Sequence, residues 1–194
     1  NKFGDCKALT LFLQTLLKSC GIESYYTVIN MGADRMMPDF PSLATANHVI
    51  LSIPTAQDTL WVECTNPDVP LGYIHSKIAG NHALIVKKDG SYVTTLPKYP
   101  DSANRCDMKA VVDLRADGSA SARVNECGRM DFWDSYYSLS RMNEVDKTNS
   151  ILASNSLPKA ELSDIKVELN SSAEPFGELS YSAAVTGYAS VTGS

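Results

Sequence analysis

Three residues of this chain have the types that nucleophilic amide chemistry needs: a cysteine, a histidine and a carboxylate. Cys6 stands in the first turn of a predicted helix, directly after Asp5, which is a good N-cap residue. The unpaired N–H groups and the positive end of the helix dipole favour the thiolate, which is the nucleophilic form of cysteine. Position alone therefore selects Cys6 among the cysteines, which stand at positions 6, 20, 64, 106 and 127.

A nucleophilic thiolate needs an imidazole partner, and the imidazole needs an orienting acid. His48 opens one strand-like segment, and Glu63 lies in the next, which is its predicted hairpin partner. If Ile53 pairs with Asp58, His48 lies directly opposite Glu63, and their Cβ atoms are about 5 Å apart. A slip of one residue would instead put His48 opposite Cys64 and turn Glu63 to the other face. The predicted contact therefore depends on the register.

Each of these residues also has an ordinary structural explanation. A cysteine at a helix start is more often structural than reactive, because reactivity needs a special microenvironment. A histidine that opens a buried strand is often a satisfied structural residue. Glu63 would then be a solvent-facing charge, with Trp61 and Cys64 in the core. Residue types and spacing leave both explanations open.

The helix that carries Cys6 is predicted over residues 5–20. Apolar residues recur there with helical spacing, and Gly21 is a typical stop after a helix. The recurring residues are Leu9, Phe12, Leu13, Leu16, Leu17 and Cys20. They predict one buried stripe, in which Cys20 is an inert thiol.

The rest of the chain predicts mainly strands. Those of the first part are at 24–30, 48–53, 59–65, 83–87 and 91–95, with a loop at 31–46. After a boundary in the Pro-rich segment 97–104 come a hairpin (107–115 and 119–126), helical patches within 131–155, and strands at 160–169 and 178–191. We predict domains at 1–98 and 99–194, within an α+β fold.

Composition excludes several classes of protein. The formal net charge is −5, with no cluster of Lys and Arg, so no nucleic-acid partner is expected. No apolar stretch approaches the ~18 residues of a membrane span. The chain has no C-x-x-C motif, and its three histidines lack helical i,i+4 spacing. We therefore predict neither a metal site nor a cofactor.

Three segments resemble the transglutaminase-like superfamily: Gly4-Asp5-Cys6-Lys7 before the leucine-rich helix, Asn47-His48-Val49-Ile50, and Trp61-Val62-Glu63-Cys64-Thr65. The resemblance covers about residues 1–90. It is to the bacterial branch in which this core precedes a β-rich domain of unknown function. It implies a papain-like core, with a helix packed on an antiparallel sheet, followed by a β-sandwich-like domain.

Under this resemblance Cys6 is the nucleophile, His48 the general base and Glu63 the acid that orients the imidazole. The implied activity is acyl transfer or hydrolysis on protein or peptide amides through an acyl-thioenzyme, with an amine or water as second substrate. Glu63 stands where the pattern has Asp, and Cys64 where it has Pro. The alternative is a catalytically inactive binding or scaffold module that keeps the fold.

The resemblance also implies a periplasmic or secreted protein, although the acidic composition alone would suit a cytosolic enzyme. Both ends of the sequence read as cut, so we expect a fragment with an incomplete second domain. In the superfamily, the segment before the nucleophile supplies a donor to the oxyanion hole.

Cys106 and Cys127 lie near the open ends of the predicted 107–126 hairpin. In a secreted protein they are a candidate disulfide, because compartment decides whether such a bond persists. Otherwise they are two small core residues.

Overall fold

A computed structural model of the chain describes residues 4–32, 36–155 and 160–190. The chain divides into two compact units, Asn1–Tyr99 and Pro100–Ser194. Within the described residues both units combine helices with an antiparallel sheet, so the protein is α+β. None of the described helices is both long enough and apolar enough to cross a lipid bilayer.

In its described residues, unit 1 is a five-stranded antiparallel sheet with one α-helix against it. Helix α1 spans Cys6–Ser19. The strands are β1 (Tyr25–Ile29), β2 (His48–Pro54), β3 (Thr59–Val62), β4 (His82–Val86) and β5 (Tyr92–Thr95). Their order across the sheet is β3-β2-β1-β4-β5.

Helix α1 begins and ends where its flanking residues predict. The Asp5 Oδ1 atom accepts a hydrogen bond from the Ala8 backbone N at 2.9 Å, which satisfies one of the free N–H groups of the first turn. Gly21 follows the helix with a φ of 73°, a left-handed conformation that glycine adopts without strain. Local capping therefore sets the position of Cys6 as the first helical residue.

The predicted buried stripe of α1 is wrong in part. The small residue Thr10 is the one position of the helix that is fully buried. Phe12 and Leu16 are 63% and 46% exposed, and the Cys20 thiol is exposed as well. The contact between helix and sheet is narrower than the apolar stripe, because the helix approaches the strands at Thr10.

Strand alternation gives the sheet of unit 1 two apolar faces. On one face Ile29 and Ile50 belong to a core that is closed by loop residues including Ile74 and Ile78. The side chain of Val49 lies on the opposite face, because it precedes Ile50 on the same strand. Its carbonyl oxygen accepts a hydrogen bond from the Thr10 hydroxyl of α1 at 3.4 Å. The sheet is therefore covered by α1 on one face and by loops on the other.

The turn between β2 and β3 is shifted from its predicted position. Pro54 pairs with Thr59 as the last residue of β2, although the prediction placed Pro54 in the loop. The turn then covers residues 55–58, and the Thr55 backbone N donates to the Asp58 carbonyl oxygen at 2.7 Å. A proline at a strand end still offers its carbonyl, so its missing N–H does not exclude it from that position.

This shift changes which residue lies opposite Glu63. Leu51 pairs with Val62, so the same register continued puts Glu63 opposite Ile50. The predicted direct pairing of His48 with Glu63 is wrong by two residues. A shift of two leaves both side chains on the same face, since the side-chain period along a strand is two. His48 and Glu63 are therefore diagonal neighbours.

The part of unit 2 that the structure describes is a four-stranded antiparallel sheet with two α-helices. The strands are β6 (Cys106–Leu114), β7 (Ala120–Arg129), β8 (Ala160–Asn170) and β9 (Phe176–Val185), in the order β6-β7-β9-β8. Helices α2 (Trp133–Ser140) and α3 (Glu144–Asn155) precede β8. The described residues form one sheet here, so the predicted β-sandwich is wrong for them.

In unit 2, helices α2 and α3 cover the apolar face of the sheet that a second sheet would cover in a β-sandwich. Tyr136 and Leu139 of α2 and Ile151 of α3 share a core with Val124 of β7 and Tyr181 of β9. The last predicted strand, 178–191, ends in fact at Val185, and a turn with Gly187 at a φ of 66° follows. Residue 191, the last of that prediction, lies outside the described residues.

The candidate disulfide is not formed. Cys106 and Cys127 are both free thiols. The register pairs Cys106 with Gly128 and Cys127 with Asp107, so the two thiols are on opposite faces of the β6–β7 hairpin. Cβ vectors that point apart cannot be bridged without movement of the backbone.

Candidate functional site

A short, buried polar contact joins the predicted histidine to the predicted acid. His48 Nε2 lies 2.7 Å from Glu63 Oε2, and the side chains are 11% and 6% exposed. An ionised carboxylate only accepts hydrogen bonds, so Nε2 carries the hydrogen and donates it. In the neutral ring, Nδ1 is then the nitrogen that can accept a proton from a nucleophile. The predicted contact is confirmed, although the register that was expected to produce it is wrong.

Thr65 fixes the Glu63 carboxylate from its other oxygen. Glu63 Oε1 accepts hydrogen bonds from the Thr65 backbone N, at 2.8 Å, and from the Thr65 hydroxyl. Burial by itself raises the pKa of Glu63, but the hydrogen bonds from His48 and Thr65 outweigh burial and lower the pKa to about 2. Glu63 is therefore ionised at neutral pH, and both of its oxygens are held.

Thr65 belongs to the predicted motif Trp61-Val62-Glu63-Cys64-Thr65, in which it had no predicted role. A Thr hydroxyl two residues from a carboxylate can form a local hydrogen bond of this kind, and that spacing was visible in the sequence. Here the local bond holds the Glu63 carboxylate in place.

Helix α1 places Cys6 at the end of the sheet where β2 begins. Gln14 Nε2 donates to the Ser24 carbonyl oxygen at 2.8 Å, and Thr10 donates to the carbonyl oxygen of Val49, the second residue of β2. The helix therefore runs in the same direction as β2. Cys6 is one turn before Thr10 and on the same side of the helix, and its thiol is half-buried.

In the described part of the chain, Cys6 forms no hydrogen bond with either of the other two predicted residues. His48 pairs with Ile29, so strand alternation turns it to the face away from α1. The start of α1 and His48, the first residue of β2, nevertheless lie toward the same end of the sheet.

Tyr26 is a neighbour of Cys6 that the sequence analysis missed. It lies on β1 opposite Leu51, with the parity that faces α1. Burial raises the pKa of the Tyr26 hydroxyl, and its proximity to Cys6 and Asp5 raises it further. The phenol is therefore a hydrogen-bond donor at neutral pH. Alternation along β1 was the sequence signal that Tyr25 and Tyr26 lie on opposite faces of the sheet.

Cys64, the residue after the acid, lies under α1. Burial raises the pKa of its thiol, the Thr10 hydroxyl lowers it, and the charge of Glu63 raises it again; the net direction is upward. Cys64 therefore remains a thiol at neutral pH and is a poor nucleophile.

The fold and the site define an α+β protein with two antiparallel sheets and a buried His–Glu pair. Comparison of the chain with protein-family models, with curated proteins and with solved structures gives no match. In the part of the chain that the structure describes, no three His, Cys, Asp or Glu residues come together as metal ligands. The chemistry of the site must therefore be argued from its own side chains.

Proposed function

We propose that this chain performs cysteine-dependent acyl transfer or hydrolysis on protein or peptide amides, as a papain-like protein of the transglutaminase-like superfamily. The observation that supports this most is the buried contact of His48 Nε2 with Glu63 Oε2 at 2.7 Å, which leaves Nδ1 as a base. Cys6, at the start of α1, is the proposed nucleophile. A periplasmic or secreted location belongs to the same proposal.

The proposed reaction has two stages with one proton carrier. Cys6 gives its proton to His48 Nδ1, and the thiolate attacks the carbonyl carbon of the amide. The C–N bond then breaks as His48 passes the proton to the leaving amine, which leaves an acyl-thioenzyme. Water or a second amine attacks the thioester, His48 takes its proton, and the thiol of Cys6 is restored. Glu63 keeps the imidazole oriented and stabilises its protonated form.

A second candidate function is a binding or scaffold module without catalysis. The observation that favours it is the orientation of His48 toward the face away from α1, with no hydrogen bond to Cys6 among those described. In this case His48 and Glu63 are a structural pair that closes one end of the sheet.

The two functions differ in the reactivity of Cys6, which can be measured directly. Each cysteine is alkylated over a series of pH values and quantified by mass spectrometry, for the wild type, for His48→Ala and for His82→Ala. His82 is the matched control, because it also opens a strand, where its Nδ1 lies 3.2 Å from the Thr95 hydroxyl. Cys20 is the internal reference, since its thiol is exposed.

At pH 7 we expect Cys6 to react about tenfold faster than Cys20, because only the thiolate is nucleophilic. The His48→Ala change removes this advantage, and the His82→Ala change leaves it. If Cys6 reacts no faster than Cys20 in the wild type, Cys6 is not the nucleophile and the binding module is the better proposal. A reactive Cys6 is followed by assays with a fluorescent peptide amide, with and without an added amine.

A further inference from the structure

Strand β6 lies at one edge of the sheet in unit 2, and all of its residues are exposed. At its two ends the Arg115 backbone N donates to the Ser119 carbonyl oxygen, and the Arg129 backbone N donates to the Arg105 carbonyl oxygen, both at 2.8 Å. Odd-numbered residues therefore bond to β7. Even-numbered residues direct their N–H and C=O groups outward. Among the described strands none pairs with this edge, which is a template for another strand.

The side chains of β6 continue the apolar face of the sheet beyond its helical cover. Met108, Val112 and Leu114 point to the same face as Val124, which α2 and α3 cover. On β6 the three are 56%, 45% and 59% exposed. We call Met108, Ala110, Val112 and Leu114 the β6 strip. It combines an unpaired backbone edge with an uncovered apolar surface.

The opposite face of β6 has a regular charge pattern. Its side chains, with that of Arg115 just beyond the strand, are Asp107, Lys109, Val111, Asp113 and Arg115. The signs run minus, plus, neutral, minus, plus. Read from the other end they run plus, minus, neutral, plus, minus, so each charge meets its opposite when the strand lies antiparallel to itself. Val111, at the centre, is an apolar residue 46% exposed on an otherwise charged face.

We propose that β6 pairs antiparallel with β6 of a second copy of this chain, about a two-fold axis at Val111. Lys109 then lies opposite Asp113 of the second copy, and Asp107 opposite its Arg115, each pair occurring twice by symmetry. Val111 meets its symmetry mate. The outward backbone groups of the even-numbered residues bond to those of the second copy, which extends the sheet across the axis.

The charges select this register over its neighbours. A two-fold axis at Ala110 would put Asp107 opposite Asp113 of the second copy. An axis at Val112 would put Lys109 opposite its Arg115. Like charges directly opposite each other destabilise a strand pair, so both shifts are disfavoured.

Existing partners of these side chains do not oppose the pairing. Arg105 Nε lies 2.8 Å from Asp107 Oδ2, with the side chains 60% and 56% exposed. The Arg115 guanidinium donates to the hydroxyls of Ser119 and Ser121, each at 3.4 Å. Exposed contacts of this kind contribute little and can be exchanged.

In the same register, the side chains of the β6 strip form apolar contacts between the two copies. Met108 lies opposite Leu114 of the second copy, and Ala110 opposite its Val112. Removal of these exposed surfaces from water favours association. A single pair of edge strands is at the small end of protein interfaces, so the dimer is reversible and depends on concentration.

Sedimentation velocity over a range of concentrations tests the pairing with charge variants of the full chain. The variants are Lys109→Asp, Asp113→Lys, the double variant, and an equimolar mixture of the two single variants. Lys166→Asp is the matched control, because Lys166 is an exposed lysine of the same sheet on the opposite edge strand, β8.

Each single variant puts like charges opposite each other twice, so we expect dimerisation at least about tenfold weaker than in the wild type. The double variant restores opposite charges and returns to within about threefold. The mixture forms a heterodimer, because one chain then offers two carboxylates and the other two ammonium groups. The Lys166→Asp control dimerises as the wild type does.

Three outcomes would overturn the proposal. A wild-type chain that stays monomeric at every concentration has no such interface. A mixture of the single variants that forms no heterodimer contradicts the register. An effect of Lys166→Asp as large as that of Lys109→Asp shows that the association uses another surface.

Discussion

At the residue scale, hydrogen bonds link Thr65 to Glu63, and Glu63 to Nε2 of the His48 ring. Both oxygens of Glu63 accept hydrogen bonds, one from His48 and the other from Thr65. A carboxylate held in this way cannot rotate without losing a hydrogen bond to a charged group, which costs about 1.5–3 kcal/mol. The direction of His48 Nδ1 is therefore set by residues that do not themselves react.

The low pKa of Glu63 links this pair to stability in acid. Its pKa is about 2 in the folded chain, against an ordinary value of 4.5. Between these two pH values the unfolded chain binds more protons at Glu63 than the folded chain does. The contribution of Glu63 to the free energy of unfolding is therefore complete above pH 4.5 and is lost as the pH falls toward 2. By pH 3 the loss is roughly 2 kcal/mol.

We expect the Glu63→Gln variant to lack this part of the acid dependence. Between pH 6 and pH 3, its free energy of unfolding should fall by roughly 2 kcal/mol less than that of the wild type, as measured by urea titration. Glu178→Gln is the control, since Glu178 is an exposed carboxylate. Equal losses in Glu63→Gln and the wild type would show that Glu63 is not stabilised as an anion.

Sequence alone predicted the His48–Glu63 contact, but for an incomplete reason. The parity of the two strands was right, and parity decides which side chains share a face. The register was wrong by two residues, because hairpin register depends on the turn, and Pro54 gave no local sign that it pairs with Thr59. The side chains are long enough to meet across the diagonal.

At the scale of elements, a pair of glycines positions helix α2 on the sheet of unit 2. Gly128 of β7 and Gly177 of β9 are directly opposite each other, under the ring of Tyr136. A Cβ atom on Gly128 would stand 2.3 Å from Tyr136 Cε2, and one on Gly177 would stand 2.3 Å from Tyr136 Cβ. The helix therefore approaches the strands more closely than any side chain there would permit.

The Gly177→Ala change should lower the free energy of unfolding by about 3 kcal/mol, because the new methyl group forces α2 away from the sheet. Urea denaturation measures the loss. Glu178→Ala is the control on the same strand, where an exposed side chain on the other face is shortened and the change stays within about 0.5 kcal/mol. A Gly177→Ala protein as stable as this control would mean that α2 does not pack on Gly177.

The bounds of α1 were predictable because capping is local: Asp5 and Gly21 mark its ends in the sequence. Its packing was not, since the stripe of leucines does not show that the helix meets the sheet at Thr10. The β-sandwich prediction failed for a similar reason. Alternation in β7 and β9 shows a face that needs cover, but not whether helices or strands supply it.

At the scale of the whole molecule, each unit has a core of its own. Ile50 is 2% exposed in the core of unit 1, and Leu179 is 4% exposed in the core of unit 2. Units with separate cores can open separately.

We expect Ile50→Ala to speed amide hydrogen exchange in β1 to β5, with a cost of about 3 kcal/mol, and to leave β6 to β9 unchanged. Leu179→Ala should do the reverse, so each variant is the control for the other. Mass spectrometry of peptides from the two units reads the exchange. A variant that speeds exchange equally in both units would show that the chain unfolds as one cooperative body.

The two cores also differ in the surroundings of their tryptophans. The chain has two tryptophans, and each unit buries one: Trp61 is 5% exposed and Trp133 is fully buried. Trp61 lies among aliphatic side chains of its core, whereas the Trp133 ring stacks on Tyr137 with centroids 5.0 Å apart. The chain thus carries an intrinsic fluorophore in each unit. A Trp61→Phe protein emits from unit 2 and a Trp133→Phe protein from unit 1, so the melting of each can be followed optically without an attached dye.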